Sequence, residues 1–129
     1  MDADNSEGRL ASISERIIGA AIEVSNQLGV GFLEKVYERA LALEIRARGL
    51  KVRGQTELPV RYKGELIGTY VADLLAEDQV LIELKCAERF APEHIDQCLN
   101  YLKASDLKLS LLINFGKPRV DWKRIVRQL

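Results

Sequence analysis

The stretch VADLLAEDQVLIELK, residues 71–85, sets two acids, Asp73 and Glu83, into runs of residues otherwise suited to a core. Both runs read as strands, and the break between them, Glu77, Asp78 and Gln79, suits a hairpin turn. Side chains alternate along a strand, so Asp73 points with Ile67, Val71 and Leu75, an apolar set. With a three-residue loop at 77–79, Ala76 pairs with Val80, and counting back sets Asp73 opposite Glu83, with Cβ atoms roughly 4.5–5.5 Å apart. Lys85 follows two residues on, on the same face, about 7 Å along the strand. Facing carboxylates on a half-buried surface cost stability unless a proton or a cation stands between them, and a hard divalent cation bound by oxygen resolves the conflict. A one-residue slip of register would send the two acids to opposite faces. For Glu83 and Lys85 alone a plainer reading stays open, with Val80, Ile82 and Leu84 inside and the two charges in solvent.

Working outward, TELPVRY and LIGTYVADLL flank a second turn at Lys63, Gly64 and Glu65, so residues 56–84 read as a three-strand antiparallel meander. Upstream, SISE at Ser12–Glu15 has the form of a capping box, and Leu10, Ile13, Ile17, Ala21, Val24 and Leu28 recur at helical spacing. Gly29 closes that helix. A second begins near Gly31, carries Leu33, Val36, Tyr37, Ala40 and Leu41, and ends at Arg46, Arg48 and Gly49. Downstream, Pro92 opens a third helix with Ile95, Cys98, Leu99 and Leu102 on one side, and LKLSLLINF, residues 107–115, is a buried strand. RVDWKRIVRQL is a last strand in preference to a short helix. The fold class is therefore α/β: a mixed sheet of four to five strands, in which a crossover helix returns the fourth strand parallel to a neighbour, flanked by helices.

At 129 residues and 47% hydrophobic, the chain fits one domain over residues 9–129, after a disordered end at residues 1–8. Nineteen basic and nineteen acidic side chains cancel, so no global field draws the protein to nucleic acid or to an anionic membrane. No apolar run approaches the ~20 residues of a membrane span. The start MDADNSEG lacks the features of a signal peptide, and two cysteines, Cys86 and Cys98, without metal-ligand spacing suit small core residues of a cytoplasmic protein.

The pattern D-x9-E-L-K formed by Asp73, Glu83 and Lys85 resembles the signature of the PD-(D/E)XK nuclease superfamily, whose restriction-endonuclease-like core has a similar order of elements. GFLEKVY, Gly31–Tyr37, is similar to the GxxExxY motif of a family within it, and ADLL, ELK, QCLNYLK and LLINFG follow in the same order. The resemblance covers nearly all of the chain after residue 12; Ala72 departs from it, standing where the superfamily name has proline.

The resemblance implies a nuclease dependent on Mg2+ or Mn2+ that hydrolyses phosphodiesters, with DNA ahead of RNA as substrate. Asp73 and Glu83 would be metal ligands with the Leu84 carbonyl, and Lys85 would polarise the attacking water. Glu34 would reach the metal, commonly through water, or else it serves the helix terminus. Gln97 and Tyr101 resemble the QxxxY motif of the exonuclease-like branch, where Gln97 would orient water or phosphate and Tyr101 would touch nucleic acid. Tyr37 would bind nucleic acid, hydrogen-bonding across the site, or simply pack. His94 reads as an exposed first-turn residue rather than a base. Two basic groups, Arg46, Arg48, Lys51 and Arg53, and Lys117, Arg119, Lys123, Arg124 and Arg127, either hold phosphates or form solvated faces. A homodimer would give so small and neutral a chain a continuous groove. The rival reading is a catalytically silent nucleic-acid-binding or protein-interaction module on the same fold.

Overall fold

The computed structural model describes residues 2–127, with side chains from residue 7 onward. Three helices, α1 (Asp2–Leu28), α2 (Glu34–Ala47) and α3 (Pro92–Ser105), pack on a five-stranded sheet of β1 (Val52–Tyr62), β2 (Glu65–Ala76), β3 (Val80–Lys85), β4 (Leu109–Asn114) and β5 (Asp121–Val126). Spatial order follows chain order; all pairings are antiparallel except β3 with β4, which α3 joins as a crossover. The α/β mixed sheet expected from the sequence is therefore the one observed, with the final segment a strand.

Each turn follows from its residues. Lys63 and Gly64, both at positive φ, close the β1–β2 hairpin in two residues, the backbone that matches strand twist. Glu77 and Asp78 are both left-handed, Ala76 pairs with Val80, and the Gln79 amide donates to the Ala76 carbonyl at 2.9 Å. The three-residue loop and its register are those the sequence implies.

One core lies under α1 and α2, built on Ile17, Tyr37, Leu41, Ile45, Leu74, Ile82, Leu84 and Leu111. A second lies under α3, built on Leu58, Ala72, Leu75, Leu81, Cys98, Leu102 and Leu112. Asn114, fully buried at the end of β4, accepts from the Ala87 amide at 3.0 Å and donates to its carbonyl at 2.8 Å, tying down the turn that follows Lys85. Gly116 passes so close that a Cβ there would stand 2.5–2.8 Å from the backbone of Cys86 and Ala87.

Several local expectations change. α1 runs from Asp2 without a break at Ser12, so residues 2–8 are helical and SISE lies inside the helix. No proline interrupts the polar start, and Gly8 alone costs only about 1 kcal/mol. The α2 N-cap is Leu33 rather than Gly31, and Leu33 and Val36 are exposed. Cys98 is buried as expected, whereas Cys86 is exposed at the end of β3. The outer part of β2 also differs: Ile67 and Val71 face solvent, so of the apolar set assigned to the face of Asp73 only Leu75 is buried.

Candidate active site

β2 and β3 pair over three residue pairs, Leu74↔Ile82 to Ala76↔Val80, and then diverge. At the fork the next two residues are Asp73 and Glu83, and their carboxylates replace the missing ladder. The Asp73 amide donates to Glu83 Oε2 at 2.7 Å, and the Leu84 amide donates to Asp73 Oδ2 at 2.9 Å. Glu83 is 3% exposed. Asp73 lies at a break in strand alternation, because Ala72 and Leu75 both belong to the core under α3 while Leu74 and Ala76 belong to the other.

Across from Asp73 the β1 ladder also skips a pair: Gly54↔Leu74 and Thr56↔Ala72 are formed, and Gln55 between them is left-handed at φ 49°. Its side chain donates to Glu38 Oε2 at 2.9 Å. Glu38, on α2, is 8% exposed and also meets Lys35 at 3.4 Å.

The electrostatics follow from this crowding. Burial, and then the charge of Asp73, push the Glu83 carboxyl up to about 8. Burial raises Asp73, the Leu84 amide opposes that rise, and the Glu38 charge adds to it. Burial raises Glu34 also, followed by the charge of Asp73, with Lys85 acting against both. Glu34, Glu38, Asp73, Glu83 and Lys85 thus share one electrostatic neighbourhood. Lys85 is half-buried and forms no ion pair among the described residues, so its ammonium offsets the acids without closing on either.

The α3 residues sit beside this fork. Gln97 donates to the Tyr101 hydroxyl at 3.0 Å, the Tyr101 ring lies 5.0 Å from that of Tyr70, and the Glu83 charge reaches Tyr101. Gln97 and Tyr101 line an open depression of about 420 Å3 with Tyr70, Glu93, Asp96 and Asn100, whose walls do not include Asp73 or Glu83. His94 Nδ1 accepts from the Ala91 amide at 3.1 Å, a terminus-capping role.

Tyr37 requires a correction. It is wholly buried, stacked on Phe115 at 4.8 Å, with its hydroxyl donating to the Gly29 carbonyl, so it has no surface with which to touch nucleic acid. It is the packing residue of the two roles open to it. The first basic group is largely committed within the fold: Arg46 donates to the Val52 carbonyl, Arg48 pairs with Glu44 and Arg53 with Asp78. In the second, Lys117 pairs with Asp121 and Arg127 with Asp106.

Glu38, Gln55 and Asn114 were not singled out from the sequence. Glu38 carried a signal, since it lies four residues from Glu34 on the same helix face. Asn114 carried one too, as the single amide ending an apolar buried strand. Gln55 carried none.

The fold is shared with solved structures. The crystal structure of SSO0001 matches at a TM-score of 0.55 and 16% identity, covering 74% of this chain, which spans 50% of that one. The crystal structure of an alkaline exonuclease (LHK-Exo) from Laribacter hongkongensis matches at a TM-score of 0.50 and 16% identity, over 84% of this chain and 76% of that one. No curated protein matches the sequence. The family profile for the PD-(D/E)XK nuclease superfamily matches residues 11–125, and the chain belongs to that superfamily. Members of it generally use divalent metals and act on nucleic acid. Among the described residues no helix is long and apolar enough to cross a membrane.

Proposed function

We propose that the chain is a GxxExxY-type nuclease that hydrolyses phosphodiester bonds of nucleic acid, DNA ahead of RNA, with Mg2+ or Mn2+. The observation that carries this reading is the Asp73–Glu83 pair at the sheet fork, each carboxylate anchored by a backbone amide, with Lys85 beside both. The donor set fits a divalent cation in chemistry: two carboxylates forced together and destabilised as anions by burial. Among the described residues no group of three or more His, Cys, Asp or Glu is placed to hold a metal. Asp73 and Glu83 would therefore hold the ion with the Leu84 carbonyl, and water or phosphate would fill the rest of its shell, as suits Mg2+.

A bound cation would supply a lowered pKa for water and charge neutralisation at phosphorus. The chain's own groups do the rest. The Lys85 ammonium, unpaired among the described ion pairs, orients water and stabilises charge growing on the scissile phosphate. Glu34, in the first turn of α2 and within electrostatic reach of Asp73 and Lys85, orders water at the site. Gln97 holds phosphate or water, and Tyr101 lies against the nucleic-acid backbone. Free Cys86 and Cys98 suit work in the cytoplasm.

The test is cleavage of labelled single-stranded, double-stranded and branched DNA and RNA with Mn2+, comparing wild type with Lys85→Ala and Glu83→Ala. Cleavage lost in both variants supports the reading. A second reading rests on the amide bonds themselves: both acids serve the fold at the fork, so a silent binding module would keep them too. Metal binding that depends on Asp73, with no cleavage of any substrate, selects it.

A further inference from the structure

The outer part of β2 extends past β3 as a two-stranded arm with β1, and every residue from Glu65 to Val71 is exposed. The direction of its amides follows from two residues. Pro59 of β1 stands opposite Thr69, and a residue without an N–H fits an antiparallel ladder where no bond is exchanged, so Thr69 turns its amide and carbonyl away from β1. Thr69 and Val71 therefore turn N–H and C=O groups toward an open edge beyond the end of the β2–β3 ladder, while Ile67 stands at the register shift between Val60 and Arg61.

Leu66–Ala72, LIGTYVA, carries no charge and no proline, two of the devices by which sheets guard an edge, and its one irregularity is the register shift at Ile67. Its side chains are exposed too: Leu66 by 56%, Ile67 by 64% and Tyr70 by 38%, with Tyr62 at the arm's tip by 61%. We propose that this edge pairs with the same edge of a second copy, antiparallel and centred on Thr69, making a homodimer. The run is self-complementary about that centre. Ile67 meets Val71, Leu66 meets Ala72, and the Tyr70 ring covers Gly68, each contact occurring twice about the two-fold axis. The next pair would set Glu65 against Asp73, and like charges end the ladder there.

The arm's exposed apolar surface, on the order of 500 Å2 per copy, caps what a pair can bury at about 1,000 Å2, the lower end of specific interfaces. Nucleic acid is the poorer occupant, because Glu57, Arg61, Lys63 and Glu65 cancel and leave no field for phosphate. A lone two-stranded ribbon is marginal in water, whereas pairing makes a four-stranded sheet of it. The two Asp73 sites then lie roughly 25–30 Å apart on one surface.

The experiment is the mass in solution of the whole chain at tens of micromolar, by light scattering or sedimentation, and is independent of any cleavage. Wild type should be a dimer. Thr69→Pro, which removes only an outward N–H, and Ile67→Lys should each give a monomer that still melts cooperatively. In a Cys86→Ser background, Thr69→Cys should oxidise to a covalent dimer, since the paired Cα atoms would stand about 5.5 Å apart, within disulfide range. If Thr69→Pro fails to fold, Ile67→Lys and the cross-link decide. A monomeric wild type overturns the proposal, as do a dimer that survives Ile67→Lys or one that fails to cross-link through residue 69. So does a monomer whose binding of an oligonucleotide is lost on Ile67→Lys, which would give the edge to nucleic acid.

Discussion

Asp73 and Glu83 are joined crosswise: the Asp73 amide donates to the Glu83 carboxylate, while the Asp73 carboxylate takes the amide of Leu84, next to Glu83. The sheet forks there because side chains have taken over bonds that a ladder would make. The same atoms therefore carry the fold and the candidate chemistry, and variants can separate the two.

The Glu83 carboxyl, raised from 4.5 to about 8, holds its proton more tightly folded than unfolded. Its contribution to stability is fully present below about pH 4.5 and is lost as the pH rises through about 8. Glu83→Gln keeps an oxygen for the Asp73 amide and removes the charge. Without metal, its melting temperature should gain on wild type as pH rises over that window, reaching a difference of several degrees. Added Mg2+ should raise the wild-type melting temperature at pH 8 and leave Glu83→Gln unmoved.

Asn114→Ala strips partners from the Ala87 amide and carbonyl and from the Gly116 amide. Urea unfolding should show a loss of about 2–4 kcal/mol, because such unpaired groups cost about 1–3 kcal/mol each where buried. Cleavage should fall as well at temperatures where the variant remains folded, since the turn held by Asn114 follows Lys85 directly. Gly116→Ala should be worse, as its methyl meets backbone rather than a movable side chain.

Tyr37→Phe loses the hydroxyl bond to the Gly29 carbonyl and the long 3.4 Å one from the Phe32 amide, about 1–2 kcal/mol together, and should leave nucleic-acid affinity unchanged in a binding titration. Tyr37→Ala removes a ring stacked on Phe115, and denaturation should show a cost of about 3–5 kcal/mol.

Gln97→Ala and Tyr101→Phe break one half-buried bond between them and should shift melting by a few degrees at most. If they meet the substrate, steady-state cleavage should fall about tenfold or more in kcat/KM, with Gln97→Ala acting on kcat and Tyr101→Phe on KM.

The strand pairing around Asp73 was legible because turn length and period-two alternation together leave one register. The helices were legible from their apolar spacing. Ile67 and Val71 misled, since alternation says which residues share a face but not whether anything covers it. The extent of β3 decides that, and its shortness shows only in the folded chain. Tyr37 was ambiguous for a similar reason: its partner Phe115 lies far along the chain. Gln55 combines a left-handed backbone with a bond to Glu38 of α2, far from it in sequence, and no local pattern marks it.

The loop at Glu77–Gln79 has a consequence for how such a chain can change over generations. Its residues can be exchanged wherever the left-handed backbone is tolerated, since among the described residues the Glu77 and Asp78 side chains bond only to the Lys51 amide and to Arg53. Its length cannot. Gaining or losing a single codon there would turn Glu83 and Lys85 to the far side of the sheet, so this surface loop, ordinarily the place where lineages insert and delete most freely, should keep its residue count among active relatives while its letters drift.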